Sequence, residues 1–180
     1  FDFIPVTNSI KLRFVFASEE YPEFVGAGYN DAFGFFVWGP NPGGGSYTGT
    51  NITRIPGTGI PVAIDNINGG SFSQHYVDNS GGSTIQYDGF TKVLEAVSKV
   101  QCGQTYHLVI AIADAMDGIY DSGIFLQANS LSSKVPVEVD YDLSFDAFGD
   151  GQTMAEGCVT TTVNLTRNTG NLNVPLTIPI

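Results

Sequence analysis

A chain of 180 residues is enough for one ordinary domain and part of another. Its 18 acidic residues against 7 basic ones give a formal charge of −11, a field that repels phosphate backbones and anionic lipid; Lys11, Arg13, Arg54, Lys92, Lys99, Lys134 and Arg167 are too scattered to form a nucleic-acid footprint. The 22 glycines, 13 phenylalanines and 8 tyrosines, with charged residues at only 14%, predict short strands and tight turns around an aromatic core, and no apolar run reaches the ~20 residues of a membrane helix.

In chain order, residues 9–16 (SIKLRFVF) alternate apolar and polar, with Ile10, Leu12, Phe14 and Phe16 on one face, which is the period-2 pattern of a half-buried strand. An acidic loop ends it. Residues 33–38 (FGFFVW) predict a second strand, apolar enough to be covered on both faces, followed by a turn, GPNPGGGSYTGTN, too flexible to hold a core by itself. Short strands are expected at 51–55 and 61–64, around a PGTG turn, and residues 66–82 read as an Asn/Gly/Ser-rich surface excursion. Residues 91–100 fit either a helical stripe through Phe90, Val93, Leu94 and Val97 or a strand in which Val93, Glu95 and Val97 alternate; the all-β company favours the strand. Residues 106–113 (YHLVIAIA) and 123–128 (GIFLQA) are stronger strand patterns.

After Ser133 the texture changes to Val/Thr-rich alternation in VPVEVDYDLSF, CVTTTVNLTR and NVPLTIPI, as in an immunoglobulin-like sandwich, which places a domain boundary near Ser133. The expected fold class is all-β: a jelly-roll-like β-sandwich over 1–133, N-terminally incomplete, then the start of an immunoglobulin-like sandwich over 134–180, C-terminally incomplete. Phe1 opens within a strand-like run and Ile180 closes within another, so both ends are expected to be cut from a longer polypeptide.

The densest polar cluster is Ser18-Glu19-Glu20-Tyr21-Pro22-Glu23, followed by Asn30-Asp31, all between two hydrophobic strands. Calcium takes roughly six to eight oxygens, and flexible loops of carboxylates, amides and carbonyls supply them. A second acidic loop with Asp114, Asp117 and Asp121 again falls between two strands. Either loop alone reads equally well as an ordinary solvated turn. Together they crowd like charges beside Phe, Ile and Val, which is costly without a cation. The expected ligands are therefore Glu19, Glu20, Asn30, Asp31, Asp114, Asp117 and Asp121, with calcium as the inferred ion, although the spacing matches neither an EF-hand nor an RTX repeat.

Asp65-Asn66 and Tyr87-Asp88-Gly89 are weaker candidates that turn chemistry explains. His75 and His107 have no meaningful carboxylate spacing and the chain has no GxSxG elbow, so no catalytic residue is expected. Paired carboxylates also suit glycoside hydrolysis, but adjacency in sequence does not supply that geometry. Tyr21, Tyr29, Trp38, Tyr47 and Tyr76 are expected to be exposed aromatics able to stack on sugars, which makes a carbohydrate-binding module the second reading, although most aromatics in a β-sandwich are core. Cys102 and Cys158 lack metal or redox spacing; a mutual disulfide, pairing outside the chain and free thiols stay open.

The run FVFASEEYPEFVGAGYNDAFGFFVWGP, with YDGFTKVLEA and TYHLVIAIADAMDGIYDSGIFL further on, strongly resembles the choice-of-anchor L domain over roughly residues 1–133. The resemblance implies an extracellular β-rich module of large bacterial secreted or surface proteins, many of them Bacteroidetes proteins exported by type IX secretion and including gliding or adhesion proteins. It supplies no catalytic residues. EGCVTTTVNLTRNTGNLNVPLTIPI resembles the opening strands of a Calx-beta domain, and that resemblance makes Asp140, Asp142 and Glu156 possible counterparts of its acidic residues.

The expected function is a non-catalytic, calcium-stabilised interaction module of a cell-surface adhesin. Its expected partner is another surface protein, a subunit or a polysaccharide, with no nucleic acid and no membrane insertion. Extracellular calcium modules bind with Kd of about 10⁻⁴–10⁻³ M, so millimolar external calcium would add to folding stability.

Overall fold

In the computed structural model the described residues are 1–83, 85–116, 118–133, 137–144 and 160–167. The chain divides into two compact units, Phe1–Ser133 and Lys134–Ile180. The first carries β1 (Asp2–Phe3), β2 (Ser9–Ser18), β3 (Ala32–Pro40), β4 (Ser46–Asn51), β5 (Val62–Ala63), β6 (Tyr76–Asp78), β7 (Gly89–Thr91), β8 (Leu94–Lys99), β9 (Tyr106–Ala113) and β10 (Ser122–Leu126). One antiparallel sheet runs β1-β9-β3-β4 with β5 also on β3; the other runs β10-β2-β7-β6 with β8 also on β2. Their inner faces share one core, so the first unit is the expected all-β sandwich.

Alternation decides β2: Ile10, Leu12, Phe14 and Phe16 are at most 2% exposed, while Lys11 and Arg13 face solvent. The strand reading of residues 91–100 holds for Thr91, which ends β7, and for Leu94–Lys99, which form β8, with Thr91 Oγ1 accepting the Phe16 N–H (3.0 Å) where β7 meets β2. The inward face of β8 is Leu94, Ala96 and Ser98, whereas Val93 and Val97 are 55% and 47% exposed. Register explains this: Phe14, Leu12 and Ile10 of β2 lie opposite Leu94, Ala96 and Ser98, and the large side chains on β2 leave room for small ones across from them.

Three expectations fail in detail. β3 is covered on one face only. Phe33, Phe35 and Val37 are buried, but on the reverse face Phe36 is half-buried and Trp38 is 36% exposed, their rings 6.4 Å apart. The glycine-rich stretch after it is half strand, since β4 pairs with β3 from Phe36↔Asn51 to Pro40↔Ser46 with a register shift at Val37/Trp38. Asn41 closes that hairpin, its side chain accepting the Gly43 N–H (2.8 Å) and its own N–H reaching Gly45 O (3.0 Å). Of residues 51–55 only Asn51 is in a strand, although Ile52, Thr53 and Ile55 are buried.

Residues 66–82 are not all surface either. Ile67 is fully buried in the core, and β6 lies within the stretch. Side-chain amides satisfy the backbone there in place of a ladder: Asn68 Nδ2 donates to Ile64 O (3.0 Å) and Asn79 Nδ2 to Tyr87 O (2.7 Å). A polar composition therefore covers a buried segment.

The second unit holds β11 (Val137–Leu143) and β12 (Thr161–Arg167), antiparallel from Val137↔Arg167 to Leu143↔Thr161, in two of the three runs where strands were expected. Asp140 and Asp142 fall on β11. The NVPLTIPI run, Glu156 and Cys158 lie outside the described residues. Cys102 is a half-buried free thiol.

Candidate functional site

Register brings one end of every central strand together. Ser18 of β2 faces Ser122 of β10 and Gly89 of β7, while Ala32 of β3 faces Ala113 of β9 and Ala63 of β5. The 19–31 loop, the 114–121 loop and the 64–68 turn therefore emerge at the same end of the sandwich. Both acidic loops singled out in the sequence are here.

Asp31 is fully buried and spans the two sheets. Its Oδ1 accepts the Ala115 N–H (3.0 Å) and its Oδ2 accepts the Ser122 O–H (2.6 Å), tying the start of β3 to the start of β10. Glu19, half-buried, holds the second loop as well: its N–H donates to Asp121 O (3.0 Å), Oε2 accepts the Asp121 N–H (3.2 Å), and Oε1 accepts the Gln86 amide (2.9 Å). Glu20 is fully buried, with its N–H on Ser18 Oγ (3.0 Å) and its carbonyl accepting Phe24 N–H (3.1 Å). Asn30 Oδ1 accepts the Asp65 N–H (3.1 Å), and Asp65 Oδ1 accepts the Gly26 N–H (2.6 Å), which recruits the third turn.

Asp114 and Asp121 have exposed side chains, and Asp117 lies outside the described residues. Among the described residues, no group of three or more His, Cys, Asp or Glu side chains is arranged to hold a metal ion. The Asp31 and Glu19 carboxylates accept hydrogen bonds from N–H and O–H groups of the facing loop and strand, so at these two residues they act as loop clamps. Ser122 and Gln86 were not singled out in the sequence, and Asp65 was rated only a weak candidate. A serine at the first position of a strand after an acidic loop carries no signal that it will meet a carboxylate ninety-one positions earlier.

Aromatic packing stiffens the same end: Phe24 contacts Tyr29 (5.1 Å) and Tyr120 (5.2 Å). Tyr21, expected at the surface, is fully buried, because its O–H donates to Ile67 O (2.6 Å) and its ring packs on Tyr76 (5.0 Å). Tyr29, Tyr47 and Tyr76 are half-buried, which leaves Trp38 as the exposed member of the five aromatics considered for sugar stacking. His107 lies toward the opposite end, its Nδ1 2.9 Å from Asp2 Oδ1.

Burial, reinforced by Tyr76 and then Asp65, pushes the Tyr21 phenol far above its ordinary range. Burial and then the Asp78, Glu23 and Asp88 carboxylates push Tyr76 up to about 12. Both phenols hold their protons when the unfolded chain, titrating near ~10, has lost them. Their contribution is full below about pH 10 and is lost as pH rises from there through about 12. Urea unfolding followed across this window should show a steady fall in stability that is shallower in Tyr21→Phe; equal slopes would remove Tyr21 from the account.

The first unit is thus a two-sheet antiparallel sandwich that gathers two acidic loops at one end. The family model of the choice-of-anchor L domain matches residues 1–132, and the chain belongs to that family. Its members are modules of cell-surface or secreted proteins. No curated protein and no solved structure matches the chain. Among the described residues, no helix is long and apolar enough to cross a membrane.

Proposed function

We propose that this chain is an extracellular interaction module of a large secreted or surface-anchored adhesin, used in attachment or gliding and stiffened at its loop end by calcium. One observation carries the calcium reading: Glu20 and Asp31 are fully buried and Glu19 is half-buried within one loop of a chain whose net charge is −11. Burying like charges together is expensive unless something positive joins them. A carboxylate has about four lone-pair positions, so Asp31 keeps acceptor capacity beyond its two hydrogen bonds. The proposed ligands are Glu19, Glu20, Asn30 and Asp31 from one loop and Asp114, Asp117 and Asp121 from the other, although among the described residues no three of these carboxylates are already gathered around one point.

The ordered loop end then presents a fixed surface to another surface protein, a subunit or a polysaccharide. Export by type IX secretion and a Calx-beta-like second unit extend the same reading. Isothermal titration with calcium should give saturable binding with Kd of about 10⁻⁴–10⁻³ M that magnesium does not reproduce and that Glu19→Gln weakens about tenfold. Absence of calcium-specific heat would overturn the ion. The alternative, a carbohydrate-binding module, rests on Trp38 on the outer face of β3, edge-on to His107 at 5.7 Å. Glycan-array binding that Trp38→Ala abolishes would favour it.

A further inference from the structure

Two aromatic side chains lie down along the outer face of the first sheet, each over a glycine. Gly34, Phe36 and Trp38 alternate outward along β3, while Phe33, Phe35 and Val37 face the core. A Cβ at position 34 would run into Phe36 Cε2 and stand 2.5 Å from Cζ, so the Phe36 ring is folded onto the backbone of its own strand. A Cβ at position 49 would stand 2.9 Å from Trp38 Cζ2 and 3.2 Å from Cε2, so the indole reaches across β4 in the same way. Gly49 is the extra residue where the β3–β4 register shifts, between Thr48 opposite Trp38 and Thr50 opposite Val37, and its φ of +86° suits glycine. Rings laid along a sheet turn a broad apolar surface to solvent, and here Phe36 is half-buried and Trp38 36% exposed.

The surroundings of the two rings are level and uncharged. β3, β4 and β9 contain no Asp, Glu, Lys or Arg, in a chain whose net charge is −11. Residues opposite one another in a ladder share a face, so Val109 and Ala111 of β9 flank Phe36 and Gly34, and the exposed Thr48 and His107 stand on either side of Trp38. Small apolar neighbours keep the surface shallow, and a hydroxyl and an imidazole border the indole. β9 separates both rings from β1.

We infer that this face binds a neutral polysaccharide with all-equatorial hydroxyls, a β-1,4-linked glucan, along the line from Phe36 to Trp38. In such a sugar the hydroxyls and linkages project from the rim, and axial C–H bonds make two apolar faces that bury against an aromatic ring. Rings 6.4 Å apart engage neighbouring sugars of one chain, and the rim hydroxyls meet Thr48 and His107. An axial hydroxyl would hold the sugar off the ring and lose its water against an apolar surface. A uronate would be repelled, since the chain carries −11 and these strands offer no cation. The inference rests on the carbohydrate reading above and narrows it to one class of glycan. It uses none of the proposed calcium ligands, so the two stand or fall separately.

Trp38 is the sole tryptophan, so its fluorescence reports on this face alone. Cellohexaose titrated into the 180-residue chain in EGTA should shift the emission to the blue and saturate. Mannohexaose of the same linkage, with an axial hydroxyl on each sugar, should bind about tenfold more weakly, and polygalacturonate should give no response. Phe36→Leu keeps an apolar side chain and the Trp38 probe but loses one ring, and should weaken cellohexaose about fivefold. Should that variant fail to fold, saturation-transfer NMR on the unaltered chain must show magnetisation reaching chiefly the axial hydrogens of the sugar. Unchanged emission with cellohexaose, an equal response to polygalacturonate, unaltered affinity in folded Phe36→Leu, or transfer spread evenly over the sugar would each overturn the inference. In that event, Trp38-dependent binding of a different glycan on the array would leave the carbohydrate reading standing, and a silent array would remove both.

Discussion

Asp31→Ala is expected to lower the unfolding free energy by about 3–4 kcal/mol, since hydrogen bonds to a charged group are worth about 1.5–3 kcal/mol each and two are lost non-additively. The Ala115 N–H and Ser122 O–H would lose their buried acceptor, and the link from β3 to β10 would go with it. Against a total of about 5–15 kcal/mol for an ordinary domain, that is a large fraction. Asp31→Asn keeps the shape and one acceptor oxygen, so about half the loss is expected. Urea unfolding gives both values, and hydrogen exchange should locate the loosening in the 114–121 loop. A loss under about 1 kcal/mol for the alanine variant, the size of an ordinary surface change, would show that the carboxylate is not the clamp.

Gly89→Ala should be about as damaging, for a steric reason. A Cβ at position 89 would lie 2.6 Å from Tyr21 Cβ, 2.7 Å from Cγ and 2.8 Å from Cδ2. Tyr21 cannot retreat, being fully buried, hydrogen-bonded through its hydroxyl to Ile67 O and packed on the Tyr76 ring. Overpacking of this kind costs about 1–3 kcal/mol and more where the backbone must move; about 3 kcal/mol is expected here. Gly59→Ala is the control, because a Cβ there meets nothing within 4 Å. If both substitutions cost the same few tenths, the close approach of β7 to Tyr21 is not a constraint on the fold.

These two sites mark the boundary of what the sequence discloses. The inner face of β2 was legible because large apolar residues alternate strictly with polar ones. The inner face of β8 was not, since Val97 is more apolar than Ala96 or Ser98, and only the register with β2 makes the small residues the buried ones. β4 escaped because Gly and Thr carry little intrinsic strand signal, and pairing with β3 supplies the order.

At the loop end, the meeting of the two acidic segments was legible as a charge problem. The groups that answer it were not: the Ala115 and Asp121 backbone amides have no sequence signature, and Ser122 and Gln86 look like ordinary surface residues. Tyr21 was misread for a related reason. Its neighbours Glu19, Glu20 and Glu23 suggest a solvated loop, yet the side chain is a wedge beneath that loop.

The most direct test of calcium stiffening is the thermal unfolding midpoint of the chain in EGTA, in millimolar calcium and in millimolar magnesium. Tenfold excess over Kd stabilises by about 1.4 kcal/mol, so calcium should raise the midpoint of the first unit by roughly 5 °C, and magnesium should not. Glu19→Gln should lower that response. Identical midpoints in EGTA and calcium, or equal shifts with both ions, would contradict the account and leave Asp31 and Glu19 as hydrogen-bonded clamps alone.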